Sequence, residues 1–312
     1  MPAPVASQPL VLAGVDLGGT QVRVALATAD GTIQVSERAK TKELRTPDNV
    51  VGWLADRVEH HAGHGTVRSA AIGSPGPVDP RQGLLINPPN LGEHRLWHSL
   101  PIASLLADAL GCPAHVENDA NLAGLGEFHQ GAGRGFRDMV YITWSTGVGA
   151  GVVSDGKLLS GAHGSAGEVG HMVIDPDGPL CGCGQRGCVE AICSGTNIEK
   201  RYGRPPVELL QAAADGDPLG CRVLDEMSRA MGTALVNVCN LYDPEVIVLG
   251  GGVIHAWSQL REPTLAVLRA SPFVAPNRRP RVRRAVLGGR VGEVGAVEWA
   301  RVWLSEAQPS AA

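Results

Sequence analysis

Residues 10–27, LVLAGVDLGGTQVRVALA, decide the fold of this chain. An apolar run over 10–16 is interrupted by Gly18-Gly19 and resumes over 22–27, which predicts a strand, a glycine turn and a second strand. The pattern returns about 125 residues later, with strands over 139–143 and 150–153 around the turn Ser145-Thr146-Gly147-Val148-Gly149. Two such units predict a duplicated α/β protein in which two α/β domains flank a cleft.

The remaining periodicity places helices and strands around these two units. Further strands are expected over 69–73, 114–117 and 246–249, and helices over 48–61, 102–110, 120–130, 207–214, 218–241 and 292–304. We expect a smaller domain over 1–117 and a larger one, with the cysteine-rich loop, over 118–292. The C-terminal helix, 293–312, is expected to return to the first domain, because chain ends commonly lie close together.

Composition excludes several classes of protein. The chain has 312 residues, 44% of them hydrophobic, and a net charge of −4, so its charge gives no reason to expect a nucleic acid as a partner. The single basic run, RRPRVRR over 278–284, is interpreted as a solvated strand edge. No long apolar stretch suits a membrane span, and residues 1–10 lack the features of a secretion signal. We therefore expect a cytoplasmic protein with reduced thiols outside the cysteine-rich loop.

A cluster of four metal-binding side chains lies within eighteen residues. His171 is followed by Cys181, Cys183 and Cys188, and three thiols with one imidazole suit a closed tetrahedral zinc site. Two carboxylates, Glu168 and Glu190, flank the cluster. Buried or disulfide-bonded cysteines, or a zinc remote from any chemistry, are the alternatives that the spacing leaves open.

Both glycine turns have the composition of phosphate-binding loops. In the first, Gly18, Gly19 and Thr20 offer backbone N–H groups and a hydroxyl, and Asp16 suits Mg²⁺. In the second, Thr146 and Gly147 offer the same groups. The run Gly250-Gly251-Gly252 after a strand could receive a flat base on bare backbone at Gly251 and Gly252, or could be a close strand–helix turn.

Asn118-Asp119 is the best candidate for chemistry. The pair follows a strand and opens a helix, where a carboxylate is ordinarily a helix cap. Together with Glu168, His171 and Glu190, it forms a set of groups that suits the adjacent hydroxyls of a sugar ring. The Pro-stiffened loop Asn87-Pro88-Pro89-Asn90-Leu91 could close over such a ring. None of these motifs is a Rossmann or Walker loop.

At these motifs the sequence resembles the ROK sugar kinases. The resemblance covers about residues 10–305 and is carried by six motifs: DLGGT at 16–20, GPVD at 76–79, ENDAN at 117–121, STGVG at 145–149, EVGH at 168–171 and CGCGQRGCVE at 181–190. Within that family the chain is most similar to the bacterial glucokinases.

The resemblance implies the actin-like ATPase fold, magnesium-ATP in the cleft, a structural zinc and a homodimer, with further pairing to a tetramer left open. Asp119 would accept the proton of the glucose 6-hydroxyl. The sugar hydroxyls would be held by Asn90, Asn118, Glu168, His171 and Glu190. His171 would bind zinc through one nitrogen and sugar through the other, beside Cys181, Cys183 and Cys188.

Two features of the sequence differ from those of many or some members of the family. Ser145 stands where many members have glycine, and the ten-residue N-terminal tail is too short for the DNA-binding domain of the repressor members. A kinase for mannose, fructose or an N-acetylated hexosamine, and a non-catalytic sugar sensor, remain as alternatives to a glucokinase.

Overall fold

The computed structural model describes residues 9–88, 91, 94–274 and 276–307 of the chain. These residues form two compact units. The first contains the described residues within 1–130, 160–165 and 289–312, and the second those within 131–159 and 166–288.

The first unit is built on a mixed five-stranded sheet. Its strands and two short additional ones are β1 (Leu12–Leu17), β2 (Gln21–Ala27), β3 (Ile33–Lys40), β4 (Ser69–Ser74), β5 (Val78–Asp79), β6 (Leu84–Leu85) and β7 (Ala114–Asn118). The order in the sheet is β3-β2-β1-β4-β7, with β5 paired to β6 outside it. β1 runs antiparallel to β2 and parallel to β4, which is parallel to β7. The predicted strand, glycine turn and strand are thus β1 and β2.

Helices cover both faces of this sheet. They are α1 (Thr41–Leu44), α2 (Pro47–Ala62), α3 (His94–Trp97), α4 (Ile102–Leu110), α5 (Asp119–Gln130) and, from the end of the chain, α11 (Val291–Glu306). Alternate residues of β1 point to opposite faces. Val15 lies in the core shared with α2 and α4, whereas Leu12 packs with Val297 of α11. Gly14 permits this packing, because a Cβ there would lie 2.5 Å from the Val297 nitrogen.

The second unit repeats the sheet of the first. Its strands are β8 (Met139–Trp144), β9 (Val148–Ser154), β10 (Lys157–Leu158), β11 (Val246–Gly250) and β12 (Arg281–Arg284), in the order β10-β9-β8-β11-β12. β8 runs antiparallel to β9 and parallel to β11, as β1 does to β2 and β4. The predicted duplication is therefore present at the level of strand order and direction.

The helices of the second unit bury a single large core. They are α6 (Val189–Cys193), α7 (Gly195–Tyr202), α8 (Pro206–Ala214), α9 (Pro218–Tyr242) and α10 (Trp257–Ala270). The long helix α9 contributes Met227, Met231 and Leu235, all fully buried, to the core that also contains Ile142 and Leu249 of the sheet. The basic run over 278–284 contains β12, an edge strand with exposed arginines, which agrees with its interpretation as a solvated edge.

The first unit extends further along the chain than the sequence indicated. Its N-terminal stretch includes α5 and ends at Gln130, whereas the expected boundary was at 117. The reason is a close approach of α5 to α11, where a Cβ on Gly126 would lie 3.0 Å from the Gly295 nitrogen. A six-residue segment, 160–165, also belongs to the first unit although its neighbours in sequence belong to the second.

Over the described residues, every helix is too short or too polar to cross a lipid bilayer. All seven cysteines lie in the described part of the chain, and none of them forms a disulfide.

Candidate active site

Two candidate site residues, Asp16 and Asp119, share the carboxyl edge of the first sheet. Asp16 is the fifth residue of β1, and its register partner on β4 is Gly73. Gly73 in turn is paired with Glu117 on β7. Asp119 follows two residues after Glu117, as the first residue of α5. Because β1, β4 and β7 are parallel, their carboxyl ends bring the two aspartates to the same edge.

The Asp16 side chain packs tightly against the beginning of α11. A Cβ on Gly292 would lie 2.5 Å from the Asp16 carboxyl carbon, so only glycine allows this approach. Arg23 lies 4.0 Å from the Asp16 carboxylate and also donates to the carbonyl of Gly289. Burial, and after it the nearby charge of Asp119, raise the pKa of Asp16 to about 6. Two carboxylates that disfavour each other's charge form a donor set that suits a divalent cation.

The first glycine turn, Gly18 to Thr20, joins β1 to β2. The Gly18 N–H donates to the Gln21 carbonyl at 2.9 Å, which closes the hairpin. The turn is braced from outside by Thr41, whose hydroxyl donates to the Gly18 carbonyl at 2.6 Å. Thr20 is exposed and Gly19 half-buried, so these residues are accessible to a ligand.

Asn118 both caps a helix and lies beside the candidate base. Its Oδ1 accepts from the N–H groups of Ala120 at 2.9 Å and Asn121 at 3.3 Å. The helix-cap interpretation is thus realised by Asn118, and Asp119 is the first residue of the helix itself. Asn118 was expected to bind sugar, and with Oδ1 committed to the cap only its amide nitrogen remains suitable for that role.

In the second unit, Glu190 supports the second glycine turn. Its Oε2 accepts from the Val148 N–H at 2.9 Å, and a Cβ on Gly147 would lie 2.7 Å from the same oxygen. The turn is held on its other side by α7, where the N–H groups of Gly195 and Thr196 donate to the carbonyls of Ser145 and Thr146. Glu190 was expected to contact sugar, but one of its carboxylate oxygens is hydrogen-bonded to this turn.

A pocket of about 260 Å³ lies beside this turn. Thr146 and Gly252 line it, together with Glu199, Pro206 and His255. Gly251 stands at the end of β11 with φ 88°, and a Cβ there would lie 2.4 Å from the Trp144 carbonyl oxygen. Of the predicted nucleotide contacts in this unit, Thr146 and Gly252 reach the pocket, whereas Gly147 and Gly251 shape the backbone next to it.

The four predicted zinc ligands converge. One ligand atom from each of His171, Cys181, Cys183 and Cys188 lies within 4.8 Å of the other three. The Cys183 and Cys188 sulfurs are 3.7 Å apart, as are His171 Nδ1 and the Cys181 sulfur. Zn–S bonds of about 2.3 Å at tetrahedral angles place two sulfurs about 3.8 Å apart, so the cluster fits zinc.

The local backbone explains how this short loop can aim its ligands. Gly187 has φ 69°, and a Cβ there would lie 1.5 Å from the Asp175 carbonyl oxygen, which no other residue could accommodate. Burial, and after it the neighbouring cysteines, raise the pKa of the Cys188 thiol to about 12. A bound cation is what would make a thiolate favourable at such a position.

His171 and Glu168 lie at the two ends of one short stretch of chain. A 3₁₀ helix, Val169–His171, begins directly after Glu168, which is exposed. His171 directs Nδ1 toward the cysteines, which leaves Nε2 as the nitrogen suited to a sugar hydroxyl. Asn90, the remaining predicted sugar contact, lies outside the described residues.

Sequence reasoning assigned no role to several residues at these sites. Arg23 and Gly292 contact Asp16, and Glu199 and His255 line the pocket, yet none stands in a motif that had indicated a ligand. Glu117 was noticed only as part of a motif. Its position at the end of a buried strand, next to Asn118-Asp119, was the available signal.

The comparisons with known proteins agree with this geometry. A model of the ROK family matches residues 12–302. A glucokinase of Thermotoga maritima is 35% identical over 79% of this chain and 83% of that protein. An N-acetylmannosamine kinase of Citrobacter koseri is 39% identical over 77% of this chain and 82% of that protein. The structure of a ROK glucokinase from Streptomyces griseus in complex with glucose and AMPPNP is 31% identical, with a TM-score of 0.73 over 94% of this chain and 99% of that one.

Proposed function

The chain belongs to the ROK family of sugar kinases and has the actin-like ATPase fold, and from this premise we propose that it phosphorylates glucose at O6 with ATP. The observation that carries the proposal is the position of Asp119 as first residue of α5, at the sheet edge that also presents Asp16. One carboxylate suits a proton acceptor and the other a magnesium ion, which are the two roles that phosphoryl transfer requires.

In the proposed reaction Asp119 accepts the proton of the hexose 6-hydroxyl. The sugar oxygen forms a bond to the γ-phosphorus, the bond from that phosphorus to the bridging oxygen breaks, and ADP leaves with the electron pair. Because proton removal accompanies a largely dissociative transfer, the base mainly assists late in the reaction. General-base help of this kind contributes on the order of 10² to 10⁴ in rate.

Each of the two units has groups that suit part of the donor, ATP. Gly18, Gly19 and Thr20 suit phosphate oxygens, as do Thr146 and Gly147. The pocket beside Gly252 suits the adenine ring of the nucleotide. Mg²⁺ near Asp16 would neutralise charge on the phosphate oxygens. Glu168 and Nε2 of His171 would bind the sugar hydroxyls, with zinc fixing the orientation of His171.

Replacing Asp119 by Asn tests the proposal. The amide keeps the shape of the carboxylate but cannot accept a proton at neutral pH. We expect turnover with glucose and ATP to fall at least about 100-fold, with little change in glucose affinity. Asp108→Asn, at an exposed position of α4, is the matched control. Turnover of Asp119→Asn within a few-fold of the wild type would remove Asp119 from the mechanism.

A second acceptor is favoured by one specific observation. The N-acetylmannosamine kinase of Citrobacter koseri is more nearly identical to this chain than the glucokinase of Thermotoga maritima, at 39% against 35%. A coupled assay with ATP across glucose, mannose, fructose, N-acetylglucosamine and N-acetylmannosamine separates the two functions. A kcat/KM highest for glucose supports the proposal, and one highest for N-acetylmannosamine replaces it.

A further inference from the structure

A carboxylate with no part in the proposed chemistry is buried next to the candidate base. Glu117, at the end of β7, has no solvent exposure. Its Oε1 accepts from the Asn118 N–H at 2.8 Å and from Asn121 Nδ2 at 2.9 Å. Burying a carboxylate is unfavourable unless its oxygens are paired, so an apolar residue would be expected here if only packing mattered.

The groups that Glu117 holds determine how α5 begins. Asn121 lies in the first turn of the helix, and the Asn118 peptide immediately precedes Asp119. Asn118 in turn caps the helix through its own Oδ1. Glu117 and Asn118 together therefore set the direction in which Asp119 leaves the sheet edge.

The second oxygen of Glu117 is bonded to a residue distant in sequence. The Ser160 hydroxyl donates to Glu117 Oε2 at 3.1 Å. Ser160 opens the segment 160–165, which belongs to the first unit although the chain on both sides of it belongs to the second. The segment is anchored again at Gly164, which has φ 74° and where a Cβ would lie 2.4 Å from Cδ of Pro80.

We propose that Ser160 is a positioning residue for Asp119, and that its hydroxyl acts through Glu117 to hold the first turn of α5 in place. The inference rests on the proposed function, in which Asp119 is the base. Glu168, a proposed sugar contact, follows this segment by three residues. The stretch of chain that leads to Glu168 therefore begins at Ser160, which is hydrogen-bonded to the Glu117 carboxylate beside Asp119.

The expected effect follows from the sensitivity of proton transfer to geometry. Loss of the hydroxyl leaves Glu117 Oε2 unpaired in a buried site and frees the carboxylate to shift. A displacement of about 1 Å at a catalytic group can cost about 100-fold in rate. Because two of the three bonds to Glu117 would remain, a smaller loss is expected.

The test compares single substitutions in the full-length protein. We expect Ser160→Ala to lower kcat about tenfold per folded molecule, with the KM for ATP within twofold of the wild type. Ser160→Thr, which keeps the hydroxyl, should restore at least half of the lost turnover. Ser165→Ala, at an exposed position of the same segment, should match the wild type. The folded fraction is measured by circular dichroism at the assay temperature, since a purely structural role would lower that fraction and leave kcat per folded molecule unchanged.

Failure of this inference is distinguishable from failure of the proposed function. If Asp119→Asn is inactive and Ser160→Ala turns over within twofold of the wild type, the positioning role is wrong and the base stands. An equal loss in Ser165→Ala, or no recovery in Ser160→Thr, also overturns it. If Asp119→Asn keeps full turnover, both proposals fall.

Discussion

At the scale of single residues, Glu190 shows how a predicted contact acquires a second role. The hydrogen bond from the Val148 N–H to Glu190 Oε2 fixes the turn that is expected to bind phosphate. We predict that Glu190→Ala raises the KM for ATP several-fold, because an unsupported turn no longer presents its N–H groups in one geometry. Glu190→Gln retains an acceptor and should be milder. Steady-state kinetics with ATP and with glucose varied in turn measures both KM values. A change in the KM for glucose alone in Glu190→Ala would contradict the prediction.

Glu168 is expected to form a hydrogen bond directly with a hydroxyl of the sugar. It precedes the 3₁₀ helix that carries His171, and a site built to pair with a hydroxyl rejects an analogue that lacks it. We predict that Glu168→Ala raises the KM for glucose much more than the KM for ATP. Glu208→Ala, on the exposed side of α8, is the control. If Glu168→Ala keeps its full zinc content and the KM for glucose is unchanged, Glu168 does not contact the sugar.

At the scale of elements, the cysteine loop has almost no regular structure that could hold it without a metal. Between the 3₁₀ helix and α6, its ligands are organised by turns at Gly184 and Gly187. We predict one zinc per chain by elemental analysis. Cys183→Ser should lose the metal and lower both the melting temperature and the affinity for sugar, because zinc orients His171. Cys221→Ser, at an exposed thiol outside the loop, should change neither. A metal-free preparation of full activity and stability would refute the zinc assignment.

The sequence predicted those elements whose cause is local. The glycine turns, the strands beside them and helix α9, expected over 218–241 and found at Pro218–Tyr242, follow from periodicity and turn chemistry. β3 was not predicted, since its residues alternate between half-buried and exposed at a sheet edge. The bond from Ser160 to Glu117 and the contact of Gly126 with Gly295 join residues far apart in the chain, and no local pattern encodes such pairs.

At the scale of the whole molecule, the first unit is assembled from three separate stretches of chain. Its sheet comes from the N-terminal 130 residues, while the helix that packs on β1 comes from the C-terminal end. Stability of this unit therefore depends on long-range contacts that form only when the complete chain is present. The homodimer expected from the family resemblance stays a prediction, which light scattering of the purified protein would test.

One of these long-range contacts makes the stability of the molecule depend on pH. His115 on β7 stacks against Trp303 of α11, with ring centroids 3.9 Å apart and planes within 5° of parallel. Burial lowers the pKa of His115 from 6.5 to about 4. Between these two values the unfolded chain binds a proton that the folded chain excludes, so the contribution of His115 to stability is present above pH 6.5 and lost as the pH falls toward 4.

Replacing His115 by Phe should remove this sensitivity while keeping an aromatic ring against Trp303. We predict that the fall in melting temperature between pH 7 and pH 5 is smaller in His115→Phe than in the wild type. His64→Phe, which replaces an exposed histidine of the same unit, should keep the wild-type difference. Calorimetry at the two pH values measures both. Because other groups titrate equally in all three proteins, an unchanged difference in His115→Phe would mean that the β7–α11 contact does not control the acid sensitivity of the fold.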